Sequence, residues 1–204
     1  MRGRCRPLSW KCGEGIRLRI QLYSSEHEDL VGGLLSRRFD VVLTMDLNET
    51  FRRAHNYEKV GSGRFCAVFP IGHLLAERPQ VSPDELCSVA LILPDPDSMP
   101  GCYQKCLRIL DRPLSECTVV QTCADLFSLL ISVEMGLGVS LVPEFYARRY
   151  REREAFVPLS PETDAGFDLG AFWQLDRDNP TVSTFVRVLK ACMGRRNPKE
   201  RVAL

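Results

Sequence analysis

Residues 119–143, VVQTCADLFSLLISVEMGLGVSLVP, decide the fold. Read with the two residues before them, they open as a strand over 117–121. Thr122-x-x-Asp125 then reads as a helix cap, because a short oxygen-bearing side chain accepts a free N–H of the first turn. Phe127, Leu130, Ile131 and Met135 recur at helical spacing and form the expected apolar stripe. Gly136 reads as the stop, since glycine enters the left-handed conformation that ends helices. Residues 139–142 are a short apolar strand, closed by Pro143. Strand, helix and strand in succession are the alternation expected of helices covering mostly parallel sheets.

Working outward, the same alternation continues. Residues 16–23, IRLRIQLY, alternate apolar and polar like a half-buried strand. Ser25-x-x-Glu28 reads as a capping box for a helix with the stripe Leu30, Val31, Leu34 and Leu35. Within it, Gly32 and Gly33 either weaken the helix or allow close packing. FDVVLT (39–44) reads as a buried parallel strand and 45–56 as a loop. Two strands, 57–60 and 64–69, are expected around Gly61-Ser62-Gly63. Ser82-Pro83-Asp84-Glu85 is a helix start, 89–93 a strand, and 94–101 a turn-rich loop before a helix over about 102–110. Later elements are a short helix at 144–150, strands at 155–158 and 168–175, and a last helix near 181–193 with Val182, Phe185, Val186 and Leu189 inward. Residues 1–15 read as an irregular basic segment and 194–204 as a basic tail. The fold class is therefore α/β, with helices covering mostly parallel sheets.

Composition narrows the function. The chain has 204 residues, 45% hydrophobic and 26% charged, with net charge +1, so its balance favours neither nucleic acid nor an anionic membrane. No apolar run approaches a membrane span and no signal core follows the basic start, so a cytoplasmic protein is expected. Nine cysteines with no CxxC pair predict neither a zinc ribbon nor a disulfide framework. Cys66, Cys87 and Cys192 sit among apolar residues and read as small hydrophobes. Cys102 and Cys106, four apart, read either as a reactive pair on one helix face or as two ordinary thiols. With three histidines and no clustered spacing, no metal site is expected, and His27 and His55 are expected to be exposed. No nucleophile elbow, zinc-protease or phosphate-loop motif is present, and Gly136-Leu137-Gly138 follows a helix rather than a strand, the reverse of what phosphate binding needs. No cofactor and no catalytic residue are assigned. The arginine clusters at 148–153 and 195–201, broken by glutamates, read as solvated faces.

Four stretches in order resemble the effector-binding domain of LysR-type transcription regulators. They are IRLRIQLYSSEHEDLVGGLLSRRFDVVLT, AVFPIGHLLAERPQVSPDEL with its His73-Leu74-Leu75-Ala76, VVQTCADLFSLLISVEMGLGVSLVP, and FWQLDRDNPTVSTFVRVLKA. The resemblance covers roughly residues 16–193. It implies a two-lobed, periplasmic-binding-protein-like (type II) fold with two crossovers. Lobe I would be 16–69 plus 168–193 and lobe II 70–167, with a small-molecule site in the cleft. Measured against that family, the winged helix-turn-helix and the first strand–helix unit of lobe I are missing. The incomplete lobe predicts a homodimer or aggregation through exposed edge and apolar surface.

Ligands of open α/β sheets lie beyond the carboxyl ends of strands, where helix N-termini hold anions. That rule selects Ser24 and Ser25, the loop holding Ser98, and Thr122 with Cys123. The resemblance implies effector contacts near the same positions and near Thr44. Each has a plainer reading: capping for Ser25 and Thr122, turn chemistry for Ser98, a strand-end hydroxyl for Thr44. The expected function is sensing of a small, carboxylate-bearing effector, with DNA reached only through a winged helix-turn-helix outside this sequence. A free-standing solute-binding protein, an enzyme on the same fold and an inert truncated fragment are the alternatives.

Overall fold

In the computed structural model, residues 8–11, 17–23, 27–45, 49–150, 152–175 and 180–194 are described. The elements run β1 (Leu8–Lys11), β2 (Arg17–Ile20), α1 (His27–Leu35), β3 (Val42–Met45), α2 (Glu49–Ala54) and β4 (Asn56–Pro70). Then follow α3 (Pro83–Cys87), β5 (Ala90–Pro94), α4 (Pro100–Leu110), β6 (Thr118–Cys123), α5 (Leu126–Glu134) and β7 (Ser140–Pro143). The last are α6 (Ala147–Tyr150), β8 (Glu154–Pro158), β9 (Gly166–Trp173) and α7 (Pro180–Gly194). Short 3-10 turns occupy Leu74–Glu77, Leu114–Glu116 and Glu144–Tyr146.

The chain divides into two compact units. Unit 1 is Met1–Gly61 with Leu169–Pro198, and unit 2 contains Ser62–Asp168. The chain passes between them twice, within β4 and within β9.

In unit 1, β3 pairs antiparallel with β9, which neighbours β4. Successive strand residues face opposite sides. Phe172 joins Leu34 and Val42 in a cluster packed by Leu30, Val31, Phe39, Phe51 and Tyr57. Its neighbour Ala171 joins Val60, Val182 and Val186 instead, packed by Phe185 and Leu189. The sheet is thus covered by α1 and α2 on one face and by α7 on the other. Gly33 lets the Phe39 ring lie against α1, where a Cβ would collide with it. Leu35 points outward, 57% exposed.

In unit 2 the strands lie in the order β6–β5–β7–β4–β8. β5 and β6 run parallel, β5 bridges to Val139 just ahead of β7, and β4 pairs antiparallel with both β7 and β8. Residues 136 and 138 owe their glycines to different causes. Gly136 has φ +77° and closes a Schellman motif, its N–H donating to Val133 O and that of Leu137 to Ser132 O. Gly138 lies where β7 approaches β5: a Cβ there would stand 2.7 Å from the Ala90 carbonyl oxygen.

Several sequence expectations are corrected. The sheets are mixed, and FDVVLT is antiparallel to its partner; it ends the strand order β3–β9–β4–β7, with Val42 buried on one face and Leu43 36% exposed on the other, so its apolar run fixed neither strand direction nor burial on both faces. Residues 56–70 form one strand through Gly61-Ser62-Gly63; Gly63 stays in it because the Phe167 ring lies where its Cβ would be. The expected loop over 45–56 contains α2, and the irregular start contains β1, paired antiparallel with β2. His55 is buried at 7% exposure, stacked on Phe51 with Nδ1 3.0 Å from Phe51 O. Cys192 is exposed. Cys87 is bonded to Cys117 across 30 residues, a pairing set by a Cα separation of 4.4 Å in the fold and invisible in the spacing.

Candidate functional site

Unit 2 brings three of the expected residues to one end of its sheet. The carboxyl ends of β5 and β6 are tied together where Asp95 N–H donates to Cys123 O, 2.8 Å. Beyond β5 the chain turns on Asp95. Its Oδ1 accepts from Ser98 N at 2.9 Å, Ser98 Oγ at 2.9 Å and Asp97 N at 3.2 Å. These bonds, the Ser98 N–H first, hold the Asp95 carboxyl below its ordinary range. Ser98 is half-buried, and its hydroxyl proton is engaged by Asp95, which leaves its oxygen lone pairs to accept. Met99 then caps α4 without a side-chain bond, and Pro100 takes the first helical position. The first turn of α4 therefore keeps donors to offer.

Thr122 sits at the end of β6, opposite Leu93, with an exposed side chain. Its expected role as cap is corrected. β6 runs on to Cys123, and the N-cap of α5 is Asp125, whose carboxylate accepts from Ser128 N at 2.9 Å and Ser128 Oγ at 2.7 Å. The Ser128 N–H bond chiefly lowers the Asp125 pKa. The start of α5 thus already holds an anion of its own.

The Cys123 side chain turns inward, 3% exposed, and its Sγ accepts from Gln121 Nε2 at 3.3 Å. Gln121 also donates to Ser132 Oγ, 3.1 Å, and Ser132 to Ser128 O, 2.9 Å. This chain of polar contacts fixes the β6–α5 junction from inside. In unit 1, Thr44 lies half-buried on β3, opposite Gly170 and on the face of Val42. Ser24 and Ser25, with the capping box expected there, lie outside the described residues.

The sequence reading missed Asp95, and it took Asp125 as the far end of the Thr122-x-x-Asp125 motif rather than as the cap itself. Both carry a readable signal, an Asp followed three residues later by Ser, which lets one carboxylate take a backbone N–H and a hydroxyl together. The expected α5 stripe holds at Leu130 and is corrected at Phe127, Ile131 and Met135. Leu129, Leu130, Ser132 and Val133 are buried, while Phe127 and Met135 are 63% and 70% exposed.

Cys102 and Cys106 share α4, as their spacing predicts, but burial pushes the Cys102 thiol up to about 11 and Cys106 well above its ordinary value. Thiolate chemistry is suppressed at both. Among the described residues no group of three or more His, Cys, Asp or Glu side chains could hold a metal ion, and no helix is long and apolar enough to cross a membrane.

The chain is 30% identical over 92 residues to the HTH-type transcriptional regulator TtuA of Agrobacterium vitis, covering 45% of this chain and 30% of that one. Its structure is similar to HinK, a LysR family transcriptional regulator from Pseudomonas aeruginosa, with TM-score 0.70, 23% identity, 88% of this chain and 62% of that one covered. It also resembles the reduced regulatory domain of OxyR2 from Vibrio vulnificus, with TM-score 0.67, 15% identity, 83% of this chain and 78% of that one covered. The chain spans less than two thirds of TtuA and of HinK. The fold is that of periplasmic-binding-protein-like type II domains, found in a family of transcriptional-regulator domains rather than enzymes. Residues 15–193 match the LysR substrate binding domain model, and the chain belongs to that family.

Proposed function

We propose that this chain is the effector-sensing part of a LysR-type transcription regulator acting inside the cell, and that its effector is a small organic anion. Regulators of this family bind small-molecule effectors and act as oligomers. One observation carries the choice of ligand. At the β5/β6 end of unit 2, α5 is capped internally by Asp125, whereas α4 begins at Pro100 without a side-chain cap. A carboxylate would bind the first-turn N–H groups of α4, favoured by the helix dipole. Ser98 Oγ and the exposed Thr122 hydroxyl would receive the effector's polar groups. Asp95 and Asp97 flank the same loop, so an effector with a hydroxyl or amino group beside its carboxylate would suit it better than a bare polyanion.

Binding alone switches nothing; the effector must prefer one arrangement of the regulator over another. In this reading the preference is passed to DNA by a winged helix-turn-helix outside residues 15–193, within a homodimer or larger oligomer.

The test is a melting-temperature screen with a panel of mono- and dicarboxylic acids bearing hydroxyl or amino substituents. A binder at one hundred times its Kd stabilises by about 2.7 kcal/mol, and Thr122→Val should cut that shift while leaving the unliganded melting temperature unchanged. A panel without any stabilising acid, or a shift indifferent to Thr122→Val, would sink the reading.

A further inference from the structure

Cys87 ends α3, 5% exposed, and its partner Cys117 is half-buried at the residue before β6. A second link joins the same two segments. Arg112 pairs with Asp84 in the first turn of α3, and at 4.0 Å with Glu116, the residue before Cys117. These ion pairs link the two segments without involving the sulfurs. The bond in turn anchors one end of β6. That strand pairs only with β5 among the described strands, through a ladder that shifts register at Leu91/Ile92. Its other end carries Thr122.

We propose that Cys87 and Cys117 form a reversible thiol–disulfide couple, held in register by Arg112, that sets the order of the edge strand β6 and of its Thr122 end. Reversibility rests on the intracellular-regulator reading above, because reducing compartments keep thiols reduced and make disulfides transient.

The oxidant is a low-molecular-weight disulfide. The Cys117 thiolate, the more accessible of the two, attacks one of its sulfurs, and the other leaves as a thiolate. The Cys87 thiolate then attacks Cys117 Sγ in the mixed disulfide and expels the second small thiolate. The protein loses two protons and two electrons, and the small disulfide becomes two thiols. Burial holds the Cys66 thiol at about 12 and also raises Cys102 and Cys106, which keeps those three from competing for the oxidant at neutral pH.

The experiment uses the full chain in glutathione buffers of graded oxidised-to-reduced ratio, without effector. Peptide mapping reads the bond, hydrogen exchange reads residues 118–123, and a thermal melt reads stability. Oxidation should link Cys87 to Cys117, slow exchange across 118–123 by about tenfold, and raise Tm by on the order of 5 °C. Reduced glutathione should reverse all three. Cys117→Ser should abolish them, and Arg112→Met should slow closure about tenfold by lowering the effective thiol concentration. No Cys87–Cys117 link, a link that excess reduced glutathione cannot open, or a link that leaves exchange over 118–123 unchanged overturns the couple. Because no effector is present, such a failure leaves the sensing proposal to be judged by its own screen.

Discussion

In unit 2, Glu154 is a carboxyl held where its charged form is disfavoured. Its side chain is 2% exposed, and Oε2 is buried without a hydrogen-bond partner. Burial, reinforced by Glu134 and partly offset by Arg153, pushes its pKa from the usual 4.5 up to about 7. Arg153 is itself paired with Glu134 at 3.6 Å. A carboxyl harder to ionise when folded favours the folded state while protonated. Its contribution is full below about 4.5 and is lost as pH rises through about 7. Glu154→Gln, measured by thermal melts at pH 5 and pH 8, should match the parent in acid and exceed it by roughly 3–6 °C in base. Equal melting temperatures at pH 8 would remove Glu154 from the account. At this scale, legibility depended on how far apart the interacting atoms are in the chain. The Ser82–Glu85 capping box was readable because both of its bonds close within three residues, Ser82 N to Glu85 Oε2 at 2.9 Å and Glu85 N to Ser82 Oγ at 3.3 Å. The burial of His55, the Cys87–Cys117 bond and the desolvation of Glu154 arise from packing partners that no local pattern announces.

Helix α5 shows how an element can be found and still be misread. Its existence and its end at Gly136 were legible, but of the stripe read as inward only Leu130 is buried. Phe127, Ile131 and Met135 are four apart and therefore share a face, yet they point outward. Leu126, Leu129, Leu130 and Val133 form an equally apolar stripe, and they pack against Cys66, Val68, Ile92 and Val142. A helix apolar on both sides has no single stripe to choose. Its start was ambiguous for a similar reason: Thr122 and Asp125 are both good caps, and only the extra length of β6 decides between them. Asp125→Ala should lower stability by about 1 kcal/mol, whereas Thr122→Val should leave it within about 0.5 kcal/mol. Chemical denaturation of the two variants separates the assignments, and a reversed order would return the cap to Thr122.

For the whole molecule, the alternation of strands and helices was enough to read an α/β fold. Strand direction was not readable, because a short apolar run such as FDVVLT suits an antiparallel strand at the end of a sheet as well as a parallel one inside it. The candidate site was legible as strand ends, through Ser98 and Thr122, but not through the carboxylates that organise those ends: Asp95 was missed, and the Thr122 hydroxyl was read as the cap in place of Asp125. The outward face of α5 bears on assembly. With Phe127 at 63% and Met135 at 70% exposure, it is apolar surface of the kind that proteins cover by association. Static light scattering of the full chain should report a dimer or larger, and the double variant Phe127→Lys, Met135→Lys should shift it toward monomer with little loss of melting temperature. A parent chain that stays monomeric at micromolar concentration would exclude this face as an interface. The division of the chain also has a consequence for its birth. Residues 62–168 are contiguous, whereas unit 1 requires 169–198 to rejoin residues synthesised long before. During translation the later-encoded half can therefore close while the earlier one waits as an open, sticky intermediate for α7 to emerge from the ribosome. The first unit to be made is thus the last to be finished, and it is the half most in need of a chaperone.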